Sequence, residues 1–273
     1  MINVMFGGNY KVFDGILLCL LSMTKYCHQP ISVYILTADV TELKEEFKPI
    51  NQLQVEVLEK IIKSKNSQSK INLITLGEEF NSWVKKSSNK TSYYTPFAFL
   101  RLFADKINLP NKILYLDTDI MINGNIENLY TIDISNHEMA VVLDRYGHLF
   151  IRPFYFNSGM LLMNMEKLKE TNLLSKVRDM CIKRKMAFPD QSALNKYCKN
   201  KLYVPRKFNE QGKLKSDTII HHFSKKIKWF PFFHTINIKP WHIDDVRKKY
   251  KCHAYDDIYN DFLKIKSTLN INT

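Results

Sequence analysis

Lys112–Asn123 reads KILYLDTDIMIN. An apolar run, Ile113–Leu116, delivers two carboxylates, Asp117 and Asp119, separated only by Thr118, and a second apolar run, Ile120–Ile122, follows at once. Four buried-type residues in a row leave no room for a helix and predict a central strand of a sheet. A carboxylate buried without a partner is strongly disfavoured, and two like charges a residue apart make matters worse. A positive group must therefore sit at this strand end. Carboxylate oxygens suit a divalent cation such as Mn²⁺ or Mg²⁺, which often bridges to phosphates. Strand ends of open α/β sheets are also where ligands bind. A D-x-D triplet alone is equally at home in a solvated turn or as a pair of caps, so the rest of the chain has to decide.

Working outward from that strand, Ile2–Phe6 reads as a first strand, followed by a tight Gly7-Gly8-Asn9 turn and a helix through about Tyr26. Ser32–Leu36 is a second strand. Strand, turn, helix, strand is a βαβ unit, the building block of a doubly wound sheet. Thr37 and Asp39 are placed to cap a helix over Glu42–Phe47, and Lys60–Asn72, rich in Lys, Ser and Asn, reads as an exposed connector. Thr95–Ala104 is expected to be a helix that packs Phe97, Leu100 and Phe103. Met139–Leu143 is another strand. Tyr155–Asn164 is strand-like and carries Asn157 and Gly159 in an apolar setting, where a glycine often marks close backbone or ligand approach. Leu173–Lys185 and Asp190–Tyr197 read as helices, the second capped by Asp190, and a basic helix starts near Asp244. Neither an internal repeat nor a Gly/Pro/Ser linker divides the chain, which predicts one domain over residues 1–243 with a small helical extension over 244–273.

Composition narrows the function classes. With 273 residues, 45% of them hydrophobic, the chain can bury one large core. No stretch reaches the ~18 continuous apolar residues of a membrane span. The longest, Ile16–Met23, lacks a small-residue cleavage site and reads as a buried helix rather than a signal peptide. Five cysteines form no C-x-x-C pair and leave an odd one out, as expected of reduced thiols in the cytoplasm. The formal charge of +13 admits nucleic acid, an anionic membrane surface or a polyanionic small substrate as partner. Zinc-finger spacing, RNP-type aromatics and a helix-turn-helix are all missing, which argues against nucleic acid.

Several segments fall in one order: GGNY near the start, the Arg of FLRLF, LYLDTDIMING, FNSGMLLMN, PDQSALN and HHFSKKIKW. Together, from about Ile2 to Trp241, they resemble family 8 of the retaining glycosyltransferases, which includes bacterial lipopolysaccharide galactosyl- and glucosyltransferases. The resemblance implies a GT-A fold: a Rossmann-like α/β domain with a mixed, mostly parallel sheet flanked by helices. It also implies Mn²⁺-dependent transfer of a hexose from a UDP-sugar to a saccharide or glycolipid acceptor, with retention of configuration. Asp117 and Asp119 match the metal-binding D-x-D around Thr118, and His222 matches the third ligand, with His221 one position away. Arg101, Asp144, Asn9 and Tyr10 match donor contacts. Asn157, Asp190 and Gln191 match residues lining the sugar at the reaction centre. Lys228 matches a lysine on the β-phosphate.

Two departures stand out. Gly7-Gly8 replaces the acidic residue that commonly precedes the Asn of the first segment. The usual H-x-x-G-x-x-K-P-W is also altered: Lys225 stands where Gly is expected, and Trp229 follows Lys228 directly. A second pairing, His234 with Lys239-Pro240-Trp241, has the K-P-W but the wrong spacing; His222 is preferred because it follows the apolar strand Thr218–Ile220. A haloacid-dehalogenase-like phosphatase and a non-catalytic nucleotide-sugar binder are the rival readings. Arg247–Lys251 and Asp257–Lys266, with Ile258, Phe262 and Ile265, are candidates for a peripheral contact at the inner face of a membrane.

Overall fold

β1 (Ile2–Gly7) and β2 (Ile31–Ala38) pair in parallel, and α1 (Phe13–Tyr26) makes the crossover between them. This is the βαβ unit expected from the sequence. The computed structural model describes residues 1–90, 95–228, 232 and 234–269, except for the side chain of Lys228. After α2 (Gln52–Lys65), β3 (Lys70–Leu76) adds in parallel beyond β2. α3 (Glu78–Lys86) and a 3-10 helix, Pro96–Lys106, lead into β4 (Lys112–Leu116), which lies parallel to β1 on its other side.

The second half of the chain completes a seven-stranded sheet in the order β3-β2-β1-β4-β7-β6-β8. β5 (Ile120–Ile122), α4 (Glu127–Tyr130), β6 (Met139–Leu143) and α5 (Gly147–Phe150) precede the long β7 (Phe156–Asn164). β7 runs antiparallel between β4 and β6. After α6 (Met165–Glu170), α7 (Leu173–Lys183) and α8 (Pro189–Tyr197), β8 (Lys201–Tyr203) pairs in parallel with β6. Outside the main sheet, β9 (Ile220–His222) pairs antiparallel with β5, and β10 (Lys226–Lys228) forms a hairpin with β11 (His234–Ile236). α9 (Ile243–Lys249) and α10 (Asp256–Leu269) end the described chain.

The sheet is buried on both faces because successive side chains of a strand point to opposite sides. Val4 and Phe6 of β1 enter the apolar layer shared with α1 and α2, whereas Met5 enters the layer under α7 and α8. β4 divides likewise, with Leu114 and Leu116 on one face and Ile113 and Tyr115 on the other. Each such side chain contributes about 1.5–3 kcal/mol when fully buried. Two covered faces therefore hold the central strands firmly, and the ends of β4 and β7 are rigid platforms.

Four expectations are corrected. Residues 42–47 form turns rather than a helix: Asp39 Oδ1 accepts from the backbone N–H of Thr41 and closes a local turn, and Thr37 Oγ1 accepts from Ile50 N. The helix comes later, at α2, where Asn51 and Gln54 form a capping box, so Lys60–Asn72 is no connector but the end of α2 and the start of β3. Thr95–Ala104 arrives as a 3-10 run rather than an α-helix. Asp190 does not cap α8; Phe188 holds that position, and Asp190 is buried in the first turn. At the C-terminus, Ile258 and Phe262 face the protein interior, and α10 is tied to α1 through Lys25–Asp257 and Lys266–Asp14 ion pairs of 2.6 and 2.8 Å.

Candidate active site

Three strand ends meet where the D-x-D leaves the sheet. Asp117 N donates to Gly159 O of β7 (2.8 Å), Phe223 N donates to Asp119 O (2.9 Å), and the β5–β9 pairing sets Ile120 opposite His222. Asp117, Asp119 and His222 consequently present ligand atoms that all lie within 4.8 Å of one another. His222 Nε2 is 3.1 Å from Asp119 Oδ1 and 3.9 Å from Asp117 Oδ2.

Each carboxylate has one oxygen engaged elsewhere. Asp117 Oδ1 accepts from Tyr115 Oη (2.7 Å) and pairs with Arg101 Nη2 (3.0 Å), which leaves Oδ2 turned toward His222. Asp119 Oδ2 pairs with Lys239 Nζ at 2.5 Å. Arg101 is buried, stacks 4.3 Å from the centre of the Tyr115 ring, donates through Nη1 to Ser158 O (2.6 Å) and lies 3.6 Å from Asp190 Oδ2. Burial works against its charge, but Asp117, Tyr115 and Asp190 outweigh that and raise its pKa further. Burial likewise raises the pKa of Asp190, against the pull of Arg101. For Asp119 the balance falls the other way: burial opposes ionisation, yet Lys239 and His222 hold the carboxyl far below its ordinary range. Burial also opposes the imidazolium of His222, and the charge of Asp119 more than offsets it, so that pKa is raised.

Glycines make these approaches possible. A Cβ on Gly159 would stand 2.3 Å from His222 Cε1 and 2.9 Å from Asp117 Oδ2. A Cβ on Gly15 of α1 would stand 2.2 Å from Thr118 O, so the helix touches the backbone of the D-x-D turn directly. Two carboxylates and an imidazole around a cradle this narrow fit Mn²⁺ or Mg²⁺, given their oxygen-rich donor set.

A second network adjoins the first. Asn157 Nδ2 donates to Asp144 Oδ2 (2.9 Å) and Gln191 Oε1 (3.2 Å), and Gln191 Nε2 donates to the same Asp144 oxygen (3.3 Å). Asp144 Oδ1 accepts from the N–H groups of Tyr146 (3.0 Å) and Gly147 (2.7 Å). Asp190 Oδ2 accepts from Ser158 Oγ (3.2 Å). Through Ser158, whose N–H donates to Gln191 Oε1 (3.0 Å), the set Asp144, Asn157 and Gln191 is joined to Asp190, Arg101, Asp117, His222 and Asp119. Asn9 and Tyr10 stand at the end of β1 and bond elsewhere: Asn9 Nδ2 donates to Glu46 O (3.4 Å), and Tyr10 O accepts from Gln54 Nε2 (2.9 Å). An open cleft of about 380 Å³ lies beside them, lined by Tyr10, Lys44, Glu45, Glu46 and Lys48.

The lysine at the carboxylates is Lys239, in Lys239-Pro240-Trp241, and the histidine there is His222; the β10–β11 hairpin stands between them in the chain. Lys228 sits in β10 with its side chain outside the described residues, and His234 is exposed on β11. Asn209, Gly15 and Tyr115 escaped the sequence reading. Only Tyr115 carried a signal, since a side chain two residues before Asp117 shares its face of the strand.

A mixed sheet with a carboxylate–histidine cluster at its strand ends is the architecture of a GT-A transferase. Residues 3–245 match the family described as Glycosyl transferase family 8, and the chain belongs to that family. It is similar to glycosyltransferase GlyF of Streptococcus pneumoniae, 29% identical over 175 residues that make up 63% of this chain and 39% of GlyF. A lipopolysaccharide 1,3-galactosyltransferase of Salmonella typhimurium is 29% identical over 180 residues, 57% of this chain and 51% of that enzyme. The chain thus spans about half the length of these curated relatives, or less. Among solved structures, an active-site glutamine-to-glutamate mutant of LgtC superimposes with a TM-score of 0.70 at 16% identity, covering all of this chain and 98% of that one. GlyE of S. pneumoniae gives 0.66 at 18% identity, covering 97% and 64%. The mixed GT-A fold expected from the sequence is therefore the fold observed, and membership in this family sets aside the phosphatase reading. No helix among the described residues is long and apolar enough to cross a membrane.

Proposed function

We propose that this chain is a retaining hexosyltransferase that moves galactose or glucose from a UDP-hexose to a saccharide or glycolipid acceptor, using Mn²⁺ or Mg²⁺ held by Asp117, Asp119 and His222. The observation that carries the reading is the convergence of these three ligands within 4.8 Å at the carboxyl end of β4, beside Lys239 and Arg101. A divalent cation there would act as a Lewis acid on the UDP pyrophosphate. Lys239 Nζ, held against Asp119, adds a positive charge where the leaving β-phosphate gains negative charge, a charge-assisted contact worth about 1.5–3 kcal/mol. Arg101 has a different task. Its donors are already committed to Ser158, Asp117 and Asp190, so it fixes those carboxylates rather than reaching for phosphate.

Asp144, Asn157 and Gln191 hold the hexose through their shared network. The LgtC structure carries a glutamine-to-glutamate substitution in its active site, and Gln191 is the proposed counterpart of that glutamine. Asp190 is buried and engaged by Arg101 and Ser158, which favours attack by the acceptor on the face UDP leaves, without a protein nucleophile. Asn9, Tyr10 and the cleft beside them are proposed to take the uridine. The function is assigned to the cytoplasm, peripheral to the membrane if the acceptor is a glycolipid.

The test is UDP release from a panel of UDP-sugars with and without Mn²⁺, water standing in for the acceptor. Mn²⁺-dependent release from one UDP-hexose establishes the class and names the donor. Mn²⁺-dependent UDP binding without release from any donor indicates a non-catalytic binder, and neither binding nor release removes the site. Asp119→Asn should abolish metal-dependent release while the fold survives.

A further inference from the structure

The orientation of three side chains follows from a single backbone group. Gly159 N–H can only donate, and it donates to Asn157 Oδ1 at 2.9 Å. The amide of Asn157 is thereby fixed, with Nδ2 toward Asp144 and Gln191. Asn209 lies on the other side and places Nδ2 3.0 Å from that same Asn157 Oδ1, an acceptor. The remaining atom of its amide, Oδ1, must therefore face His222 Nδ1, 3.0 Å away. An oxygen acceptor there requires a proton on Nδ1. Nε2 is then the nitrogen that faces Asp119 Oδ1 and Asp117 Oδ2, and the one left to offer its lone pair to a metal.

Asn209 is fully buried and is itself held by the backbone. It follows a 3-10 turn, Arg206–Phe208, and its N–H donates to Arg206 O (2.9 Å). The flanking segment clips onto β9 through Ile219 N to Lys207 O, Glu210 N to Ile220 O and His222 N to Glu210 O, each 2.9 Å. Such a residue has no freedom to serve substrate. Its amide touches only the imidazole of one network and the carboxamide of the other.

We infer that Asn209 is a positioning residue that sets the tautomer and ring plane of His222 for metal ligation and couples the metal cluster to the Asn157–Asp144–Gln191 network. The inference rests on the metal-site reading proposed above. Outer partners of this kind orient ligating histidines, and their loss typically lowers metal affinity by about 10–100-fold. Asn209→Leu removes the acceptor while keeping the branched side-chain skeleton. Asn209→Asp keeps an oxygen against His222 Nδ1 but replaces the donor to Asn157 with a second acceptor, so its damage should fall on the sugar side.

The experiment combines Mn²⁺ titration by calorimetry with ¹⁵N-histidine NMR on the whole chain. A hydrogen-bonded His222 Nδ1–H signal is expected in the wild type whatever the state of Nε2, and it should vanish in Asn209→Leu. Mn²⁺ affinity should fall about 10–100-fold in Asn209→Leu and stay within a few-fold in Asn209→Asp, with donor turnover lost in both. A wild-type Nδ1 without a proton, or Asn209→Leu binding Mn²⁺ as the wild type does, overturns the inference. If Asn209→Leu does not fold, the NMR signal and the Asn209→Asp affinity decide. A wild type that binds no Mn²⁺ sinks the proposed function instead, and the Nδ1–H signal still tests the assignment of Asn209.

Discussion

Lys239 Nζ sits 2.5 Å from one oxygen of Asp119 while His222 Nε2 sits 3.1 Å from the other. The carboxylate is thus shared between a lysine and a metal-type ligand, and Lys239 also donates to Phe223 O at 3.3 Å. Removing one partner of a buried pair leaves the other charge uncompensated, which costs far more than the pair contributes. Lys239→Met should therefore lower the melting temperature of the metal-free protein. Mn²⁺ should then raise it by more than in the wild type, because a cation at Asp119 replaces the lost charge. Donor turnover with Mn²⁺ should drop about 100-fold or more, as when a preorganised group facing developing charge is removed. Melting curves with and without Mn²⁺ check the first part, and an unchanged Mn²⁺ shift would sink it.

The Gly159 position predicts a purely steric defect. Its backbone lies outside the left-handed region, so alanine meets no conformational penalty there. The obstacle is His222 Cε1, which an added methyl would approach to 2.3 Å in a central strand that cannot yield. Gly159→Ala should push the imidazole off Asp119 and weaken Mn²⁺ binding at least tenfold while circular dichroism stays native. Calorimetry that shows wild-type affinity would mean that the ring has room to move.

How far the sequence could be read follows from which contacts are local. Ile113–Leu116 announces a buried strand, and Asp117 and Asp119 at its end become a candidate site once the other segments fall in order around them. The signal of α2 was also present: Asn51 with Gln54, then Val55, Leu58 and Ile62 at helical spacing, all of the last three buried. It was masked by the Lys- and Ser-rich outer face of the same helix. Lys239 and Asn209 belong to another category. Lys239 reaches Asp119 across 120 residues and Asn209 reaches His222 across 13, and in each case a hairpin or turn between them sets the approach. Spacing alone favoured Lys228, six residues after His222. The K-P-W signature marks Lys239 but ties it to His234; the β10–β11 pairing brings it back to the cluster beside His222 instead.

The capping box itself is testable. Asn51 Oδ1 accepts from Gln54 N (2.9 Å), and Gln54 Oε1 accepts from Asn51 N (3.2 Å). Asn51→Ala frees the Gln54 N–H at the helix start and should cost about 1 kcal/mol. For a chain of this size that amounts to roughly 2 °C in melting temperature. Mn²⁺ affinity should not change, since α2 does not touch the cluster. An effect on metal binding would show that the start of α2 is coupled to the site through Gln54 and Tyr10.

The cysteines give a prediction with a definite pH sense. Cys19, Cys181 and Cys198 are buried, and burial raises the pKa of each thiol far above its ordinary value, with Asp119, Asp190 and Glu138 respectively adding to the effect. Cys27 is buried and raised in the same sense. Only the thiolate is nucleophilic, so raising the pH toward 9 cannot activate these four while the fold persists. Cys252 is the only cysteine with partial solvent access. Native protein treated with an aromatic disulfide reagent at pH 8 should therefore show one reacting thiol, and Cys252→Ser should abolish that phase. All five should react once the chain is unfolded. Rapid labelling of a second thiol in the native state would mean that α1, α7 or the end of α8 opens locally far more often than its packing implies.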